Sequence, residues 1–420
     1  MKPKILSTLP GYTPRAFAAD ALAGLTVALV ALPLSLAIAI ASGASPDRGF
    51  VTAIVAGFLI SALGGSRVQI GGPTGAFIVV VFSVIAKHGI DGLILATLLA
   101  GIILFIAGTF RAGRLIAMVP EPVINGFTIG IGIIIGTSQL KDFFGLTLAD
   151  VPAEFIPKIA AFWGAHGTFS AASFGIGLLT LLLIIGLRRA FPRFPGLIVA
   201  VGVSAAVVTL GALPVETIAS RFGDLPRNLP LPALPDISYE RVVELLPSAF
   251  VIAFLAGVES LLSAIVADRM FGGAHRPNAE LRAQGVANIA SSLFGGLPAT
   301  GAIARTATNV RAGGRTPVAG IVHALVLLLI MWVAAPLAGL IPMPALAALL
   351  IVTAWTMSEP HRWGSYLKGR RSDIVLLVLT LSLTVLIDLT VAIGVGVAVG
   401  LALRLLRRDA EGPDWTPRDR

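Results

Sequence analysis

The chain has 420 residues, of which 56% are hydrophobic, 13% charged and 7% aromatic, with a mean hydropathy of +0.92. That balance excludes an ordinary soluble domain and points to an integral membrane protein. There is no Cys, which excludes disulfide frameworks, thiolate metal sites and thiol nucleophiles, and the net charge of +9 is explained below by topology, with no nucleic-acid partner.

Hydropathy marks about fourteen apolar segments: Ala21 to Ala41, Phe50 to Leu63, Thr74 to Ala86, Leu93 to Phe110, Val123 to Leu140, Phe174 to Leu187, Leu197 to Leu213, Ser248 to Ala267, Leu281 to Phe294, Gly301 to Val310, Val318 to Leu340, Ala345 to Met357, Ile374 to Leu389 and Val391 to Leu406. Several are shorter than the ~20 residues that a regular span needs. The first follows Asp20, has no small-residue cleavage site before it and carries Pro33, so it reads as a retained helix and not a signal peptide. With the N-terminus placed in the cytoplasm, 23 of the 31 Lys and Arg fall on the cytoplasmic side, seven fall outside, and Arg305 lies within a segment. The bias supports an even number of spans with both termini cytoplasmic.

The two halves echo each other. Leu34-Ser35-Leu36 returns as Glu259-Ser260-Leu261 after 225 residues, Thr74-Gly75-Ala76 as Thr300-Gly301-Ala302 after 226, and Val119-Pro120-Glu121-Pro122 as Ile341-Pro342-Met343-Pro344 after 222. Two copies of seven spans must be inverted relative to one another, because seven is odd. The expected fold is therefore an all-α membrane protein of about fourteen spans in a 7+7 inverted repeat, an arrangement typical of secondary transporters.

The third and tenth segments are short, occupy equivalent places in the repeat, and open on Gly71-Gly72-Pro73-Thr74-Gly75-Ala76 and Gly295-Gly296-Leu297-Pro298-Ala299-Thr300-Gly301-Ala302. Broken backbone at membrane depth must be buried in protein or line a cavity, so each is expected to precede a half-helix. Two facing helix N-termini bring free N–H groups and positive dipole ends to one point, an anion site. The competing reading is that these breaks only let helices pack closely.

Arg305 lies just inside the second half-helix, where insertion scales put a charge at about 2.5 kcal/mol or more, so it should face a cavity or a partner. It either holds the substrate or braces neighbouring carbonyls. Glu259 is the one carboxylate deep within an apolar segment, a candidate for proton coupling, with a structural ion pair to Arg305 as the rival role. Ser263 shares its helical face and is grouped with it, while Ser260 follows it in sequence; small-residue packing is an equal alternative for both serines. His323 reads as a satisfied core histidine in preference to a proton relay. Asp20 and Asp388 fall at segment ends where solvation is cheap, and Asn309 steadies the Arg305 helix. No Ser-His-Asp order, HExxH, Walker loop or glycine fingerprint is present, so neither an enzyme, ATP-driven transport, a metal nor a cofactor is expected.

Three runs carry a resemblance to a known family: GGLPATGAIARTATNVRAGGRT from Gly295, AGVESLLSAIVAD from Ala256, and DALAGLTVALVALPLSLAIAIASG from Asp20. They resemble the SulP, or sulfate permease, anion transporters over nearly the whole chain. The resemblance implies a transmembrane domain over residues 1–408, with a core of spans 1–4 and 8–11 moving against a gate of spans 5–7 and 12–14, and a homodimer. Carried over by position, it nominates Ser35, Ile38, Thr74, Gly75, Ala76, Ser260, Thr300, Gly301, Ala302, Ala304 and Arg305 for substrate binding, with Glu259 and Ser263 for coupling. PLSLAIAIASG, GIGIIIGTSQLKDFFGL and the Glu259 run resemble the branch with proton-coupled C4-dicarboxylate carriers. Sodium-coupled bicarbonate carriers of the family are similar but place an Asp where this chain has Glu259. Residues 409–420 are expected to form a short cytoplasmic tail without the STAS domain that many members carry. The resulting expectation is a proton symporter of small anions, C4-dicarboxylate or sulfate, working by an elevator-like displacement. A sodium-coupled bicarbonate carrier, a passive anion channel on the same fold and a non-transporting membrane scaffold or receptor are the alternatives.

Overall fold

A computed structural model describes residues 2–113, 119–148, 151–191 and 195–407, with side chains to 403. The expected tail 409–420 lies outside the described residues. The principal helices are α1 (Pro14–Ala41), α2 (Pro46–Leu63), α3 (Ile78–Thr109), α4 (Glu121–Ser138), α5 (Ala171–Ala190), α6 (Gly196–Leu210), α7 (Tyr239–Phe271), α8 (Pro277–Leu293), α9 (Ile303–Arg311), α10 (Val318–Gly339), α11 (Met343–Met357), α12 (Arg371–Leu386) and α13 (Leu389–Arg407). Helix covers every one of the fourteen apolar segments, and among the described residues seven helices are long and apolar enough to cross a membrane.

Local chemistry sets the boundaries. Pro opens α1, α2 and α8 at the position where a missing N–H is harmless, and the Thr13 hydroxyl accepts from Ala16 N–H at 3.2 Å ahead of α1. The third and fourth segments form one run, α3, broken at Gly89, whose φ of 69° and ψ of −174° only glycine adopts without strain. The eighth segment is longer than its apolar stretch: α7 begins at Tyr239 and carries Pro247 inside it.

The most extensive helix pairs join α3 with α8 and α7, α4 with α12, and α10 with α1 and α2; α4 also packs on α11, and α11 on α5. The α3–α8 crossing is backbone against backbone. A Cβ on Gly285 would lie 2.5 Å from Phe105 N, and one on Gly101 would lie 2.7 Å from Ile289 N. Small residues at helix interfaces supply this close approach where lipid offers no hydrophobic drive.

One feature departs from an all-α chain. The two broken stretches pair as an antiparallel ladder, β1 (Gly71–Gly72) and β2 (Thr300–Gly301), with Gly71 opposite Gly301 and Gly72 opposite Thr300. Antiparallel pairing of equivalent segments is what an inverted repeat produces, and it satisfies backbone groups that water cannot reach.

Candidate anion site at the crossing of the broken helices

Beyond the ladder the chain turns back into helix twice. Gly75–Phe77 forms one 3-10 turn that runs into α3, and α9 starts at Ile303. Neither end is capped by a side chain: Thr74 and Ala302, in the capping positions, make no capping hydrogen bond. The first-turn N–H groups of a helix have no intrahelical acceptor, so both ends present donors and positive dipole ends. Ile303 is 38% exposed and Ala304 is exposed, although the ladder behind them and Arg305 after them are buried.

Arg305 is 1% exposed. Its Nη2 donates to Ser35 Oγ and to Pro73 O, each at 3.0 Å, while Nε and Nη1 have no hydrogen-bond partner. Nη1 rests against Gly72, where a Cβ would come within 2.3 Å. Two hydrogen bonds to a charged group contribute roughly 1.5–3 kcal/mol each, about what removing one ion from water costs in a protein. With no carboxylate paired to it among the described residues, the guanidinium contributes positive charge to the site.

Glu259 is half-buried on α7, and its Oε2 accepts from Thr74 Oγ1 at 2.8 Å. No ion pair joins it to Arg305 among the described residues, so the rival role of a structural salt bridge is not what the structure holds. The carboxylate instead fastens α7 to the start of the first half-helix. Ser35, Thr74, Glu259 and Arg305 thus converge, with Gly75 and Ala76 beside them and Ile38 buried one turn along α1 from Ser35. On the far side Gly75 faces α4 and α11, where its Cβ would lie 3.0 Å from Met357 Sδ and 3.6 Å from Ile135 Cδ1.

Other nominated residues sit in the scaffold. Thr300 is fully buried and donates to Ala256 O at 2.8 Å; Ala302 N–H donates to Ile70 O at 2.8 Å. The Ser260 hydroxyl accepts from Gln69 Nε2 at 2.7 Å and from Gln284 Nε2 at 2.8 Å, and donates to Glu280 Oε1 at 3.2 Å. Ser263 donates to Thr306 Oγ1 at 3.2 Å, tying α7 to α9, and not to Glu259. Gly301 has no room for a side chain because Gln69 is there: a Cβ would lie 1.7 Å from Gln69 Nε2.

The sequence reading missed this polar core. Glu280, in the first turn of α8, is 0% exposed, a more deeply buried carboxylate than Glu259. Its oxygens accept from Gly65 N–H (2.8 Å), Ser66 N–H (3.2 Å), Gln69 Nε2 (3.0 Å), Gln284 Nε2 (2.9 Å) and Ser260 Oγ. Asn288, one turn beyond Gln284, brackets Ala299 through its N–H and its C=O at 2.9 Å each. The signal lay in the spacing, since Glu280, Gln284 and Asn288 recur every fourth residue along one helical face.

Of three lesser expectations, two change and one holds. His323 is fully buried against Gly57 of α2, but both ring nitrogens lack a partner, so it is not a satisfied core histidine. Asp20 is buried, not solvated: it accepts from Tyr12 Oη (2.9 Å), Arg315 N–H (2.7 Å) and the Thr316 hydroxyl (2.5 Å), because the α9–α10 connection folds over it. Burial and that hydrogen bond push the Tyr12 phenol up to about 12. Asn309 does steady its helix, donating from Nδ2 to Val68 O at 2.8 Å.

Comparison with known proteins agrees with this architecture. Residues 17–380 match the model of the sulfate permease family. YvdB of Bacillus subtilis (strain 168), provisionally named a sulfate transporter, is 41% identical over 374 residues, 89% of this chain and 70% of YvdB. The bicarbonate transporter BicA of Picosynechococcus sp. is 32% identical over 340 residues, 79% of this chain; the chain spans 60% of that protein's length. The solved transmembrane domain of a cyanobacterium BicA superposes with a TM-score of 0.80 at 30% identity, over 93% of this chain and 98% of that one.

Proposed function

The chain belongs to the sulfate permease family, and from that premise we propose that it is a secondary active carrier of small anions, C4-dicarboxylate or sulfate, driven by proton symport. It works in a bacterial inner membrane as a homodimer with both termini cytoplasmic. The observation that carries the reading is the buried Arg305 guanidinium, held by Ser35 and Pro73 on one side and unpartnered at Nε and Nη1, beside two uncapped helix starts. Such a place attracts an anion by charge and grips it by N–H groups, and its donors suit carboxylate and sulfate oxygens alike.

Transport follows from the packing. In this reading the helices that carry the site (α1, α3, α7 and α9) form one set and the wall opposite Gly75 (α4 and α11) belongs to another, a division supported by the extensive packing within each group. In the proposed cycle the first set, spans 1–4 and 8–11, moves with its anion as an elevator against spans 5–7 and 12–14. Glu259 carries the proton, and its bond to Thr74 ties its ionisation to the helix start that faces the anion. Sodium-coupled bicarbonate transport is the second reading, favoured by the similarity to BicA. Proteoliposomes with imposed proton or sodium gradients and a panel of fumarate, succinate, sulfate and bicarbonate test both. Concentrative uptake of a dicarboxylate or sulfate under a proton gradient supports the first; sodium-dependent bicarbonate uptake replaces it with the second, and the absence of uphill movement under either gradient leaves a channel.

A further inference from the structure

Helices α4 and α11 have a second working face. Ile135 and Met357 point toward Gly75 and the anion site, while on the opposite side the same two helices, with α12 and the segment 363–367, line an open-sided cavity of about 630 Å³. That is within the roughly 300–1,000 Å³ of ligand-sized sites. Its walls include Ile129, Ile133, Gly136, Leu377 and Leu381. Three of the polar groups around it are engaged with the protein, and Thr137 also lines it. Trp363 Nε1 donates to Ser358 O at 2.6 Å, Ser358 Oγ to Trp355 O at 2.9 Å, and Tyr366 Oη to Glu359 Oε2 at 2.7 Å. An occupant therefore meets mainly apolar surface.

The rim differs in character from the walls. Trp355 and Trp363 stand edge to face, 6.1 Å between centroids, and Trp355 and Leu367 are 62% and 71% exposed. Aromatic pairs of this kind mark the level of lipid headgroups. Arg362 is occupied by Glu121 and Glu359 and lies over the Tyr366 ring. Lys368, which directly follows Leu367, and Arg371, which opens α12, are exposed, with Asp373 the acidic residue of that first turn. This is the Lys- and Arg-rich side of the chain, and basic rims between membrane helices on that side suit anionic lipid headgroups.

We propose that this cavity is a binding site for an anionic phospholipid, one acyl chain lying between α4, α11 and α12 and the phosphate held by Lys368 and Arg371. The lipid backs the wall that faces the anion site. Any effect of that bracing on transport rests on the function proposed above, whereas binding does not.

The test uses the full chain with Trp163, Trp332 and Trp415 replaced by Phe, which leaves Trp355 and Trp363 of its five tryptophans as reporters. It is reconstituted in phosphatidylcholine vesicles doped with either dibrominated phosphatidylglycerol or dibrominated phosphatidylcholine, and tryptophan quenching is read. The phosphatidylglycerol should half-quench at roughly one tenth of the mole fraction that phosphatidylcholine needs, the preference two basic side chains supply. K368Q together with R371Q should erase that preference. So should Gly136→Leu, which fills the cavity from a position whose Cβ would meet only Ala354 Cβ, at 3.8 Å. Equal quenching by the two lipids in the parent protein, or a preference that survives K368Q/R371Q, overturns the proposal. Quenching by neither lipid, with Leu367-to-Leu367 crosslinks between copies after substitution by Cys, also overturns it and assigns the face to a second copy of the chain.

Discussion

Gln69 Nε2 occupies the place of the side chain that Gly301 lacks, 1.7 Å from where a Cβ would stand. The glutamine cannot simply step aside, because it donates to Ser260 and to Glu280 inside a network with no access to water. Gly301 is thus a packing requirement of the scaffold, and Gly75 is the glycine that borders α4 and α11.

The two glycines should therefore fail differently. Gly301→Ala overpacks the core and strips Gln69 of its partners, for a loss of about 2–5 kcal/mol in stability. It should appear as lower yield and a depressed melting temperature in detergent. Gly75→Ala meets the flexible end of Met357 at 3.0 Å and should fold normally while slowing transport. A Gly301→Ala protein that melts like the parent would show that Gln69 relocates freely.

Arg305→Ala should weaken binding of a divalent anion by roughly tenfold or more, since one charge-assisted hydrogen bond contributes about 1.5–3 kcal/mol. Isothermal titration in detergent measures it. The ladder and the Asn309–Val68 bond hold α9 in place without the guanidinium, so the melting temperature should change little. Unchanged affinity in a folded variant would assign Arg305 to bracing Ser35 and Pro73 alone.

Much of the candidate site's geometry could be read in the sequence because broken helices announce themselves. The paired stretches at Gly71 and Gly295 are short, Gly- and Pro-rich and equivalently placed, and a lone Arg305 in apolar sequence had to face something polar. The ladder itself was not legible, as two-residue strands have no periodicity to detect. Nor was the scaffold role of Ser260 and Thr300: their neighbours in sequence touch the site, but successive residues on a helix or strand face apart. Glu280 escaped because it precedes its apolar segment, where a carboxylate ordinarily meets water.

Lys158, on the short helix Phe155–Gly164 between the fifth and sixth apolar segments, gives a pH signature. It is 4% exposed, reaches Ser138 Oγ at 3.4 Å and lies 5.3 Å from the Phe82 ring centre, so burial lowers its pKa below 10.5 with Glu154 opposing weakly. A lysine depressed in the folded state binds fewer protons there than when unfolded, so between its folded pKa and 10.5 stability should rise with pH. Lys158→Met should flatten that rise. Melting curves across the alkaline range decide it, and identical slopes in the two proteins would mean that Lys158 stays charged in place.

The coupling prediction follows from the Thr74–Glu259 contact beside Arg305. With Glu259 ionised, the site already holds one negative charge, and a divalent anion entering it is repelled; protonation removes the repulsion. Proton and substrate should then each tighten the other's binding by the same factor. In Glu259→Gln the side chain stays neutral and its amide keeps an oxygen for Thr74. Substrate affinity should become independent of pH and equal that of the parent at its acidic limit, while uphill uptake driven by an inward proton gradient disappears and exchange down a gradient survives. Retained accumulation with the parent's pH dependence would move the proton carrier elsewhere, with buried, unpartnered His323 the next residue to test. Uptake driven by sodium alone would make Glu259 a cation ligand, and the aspartate that bicarbonate carriers of the family place there would become the informative replacement.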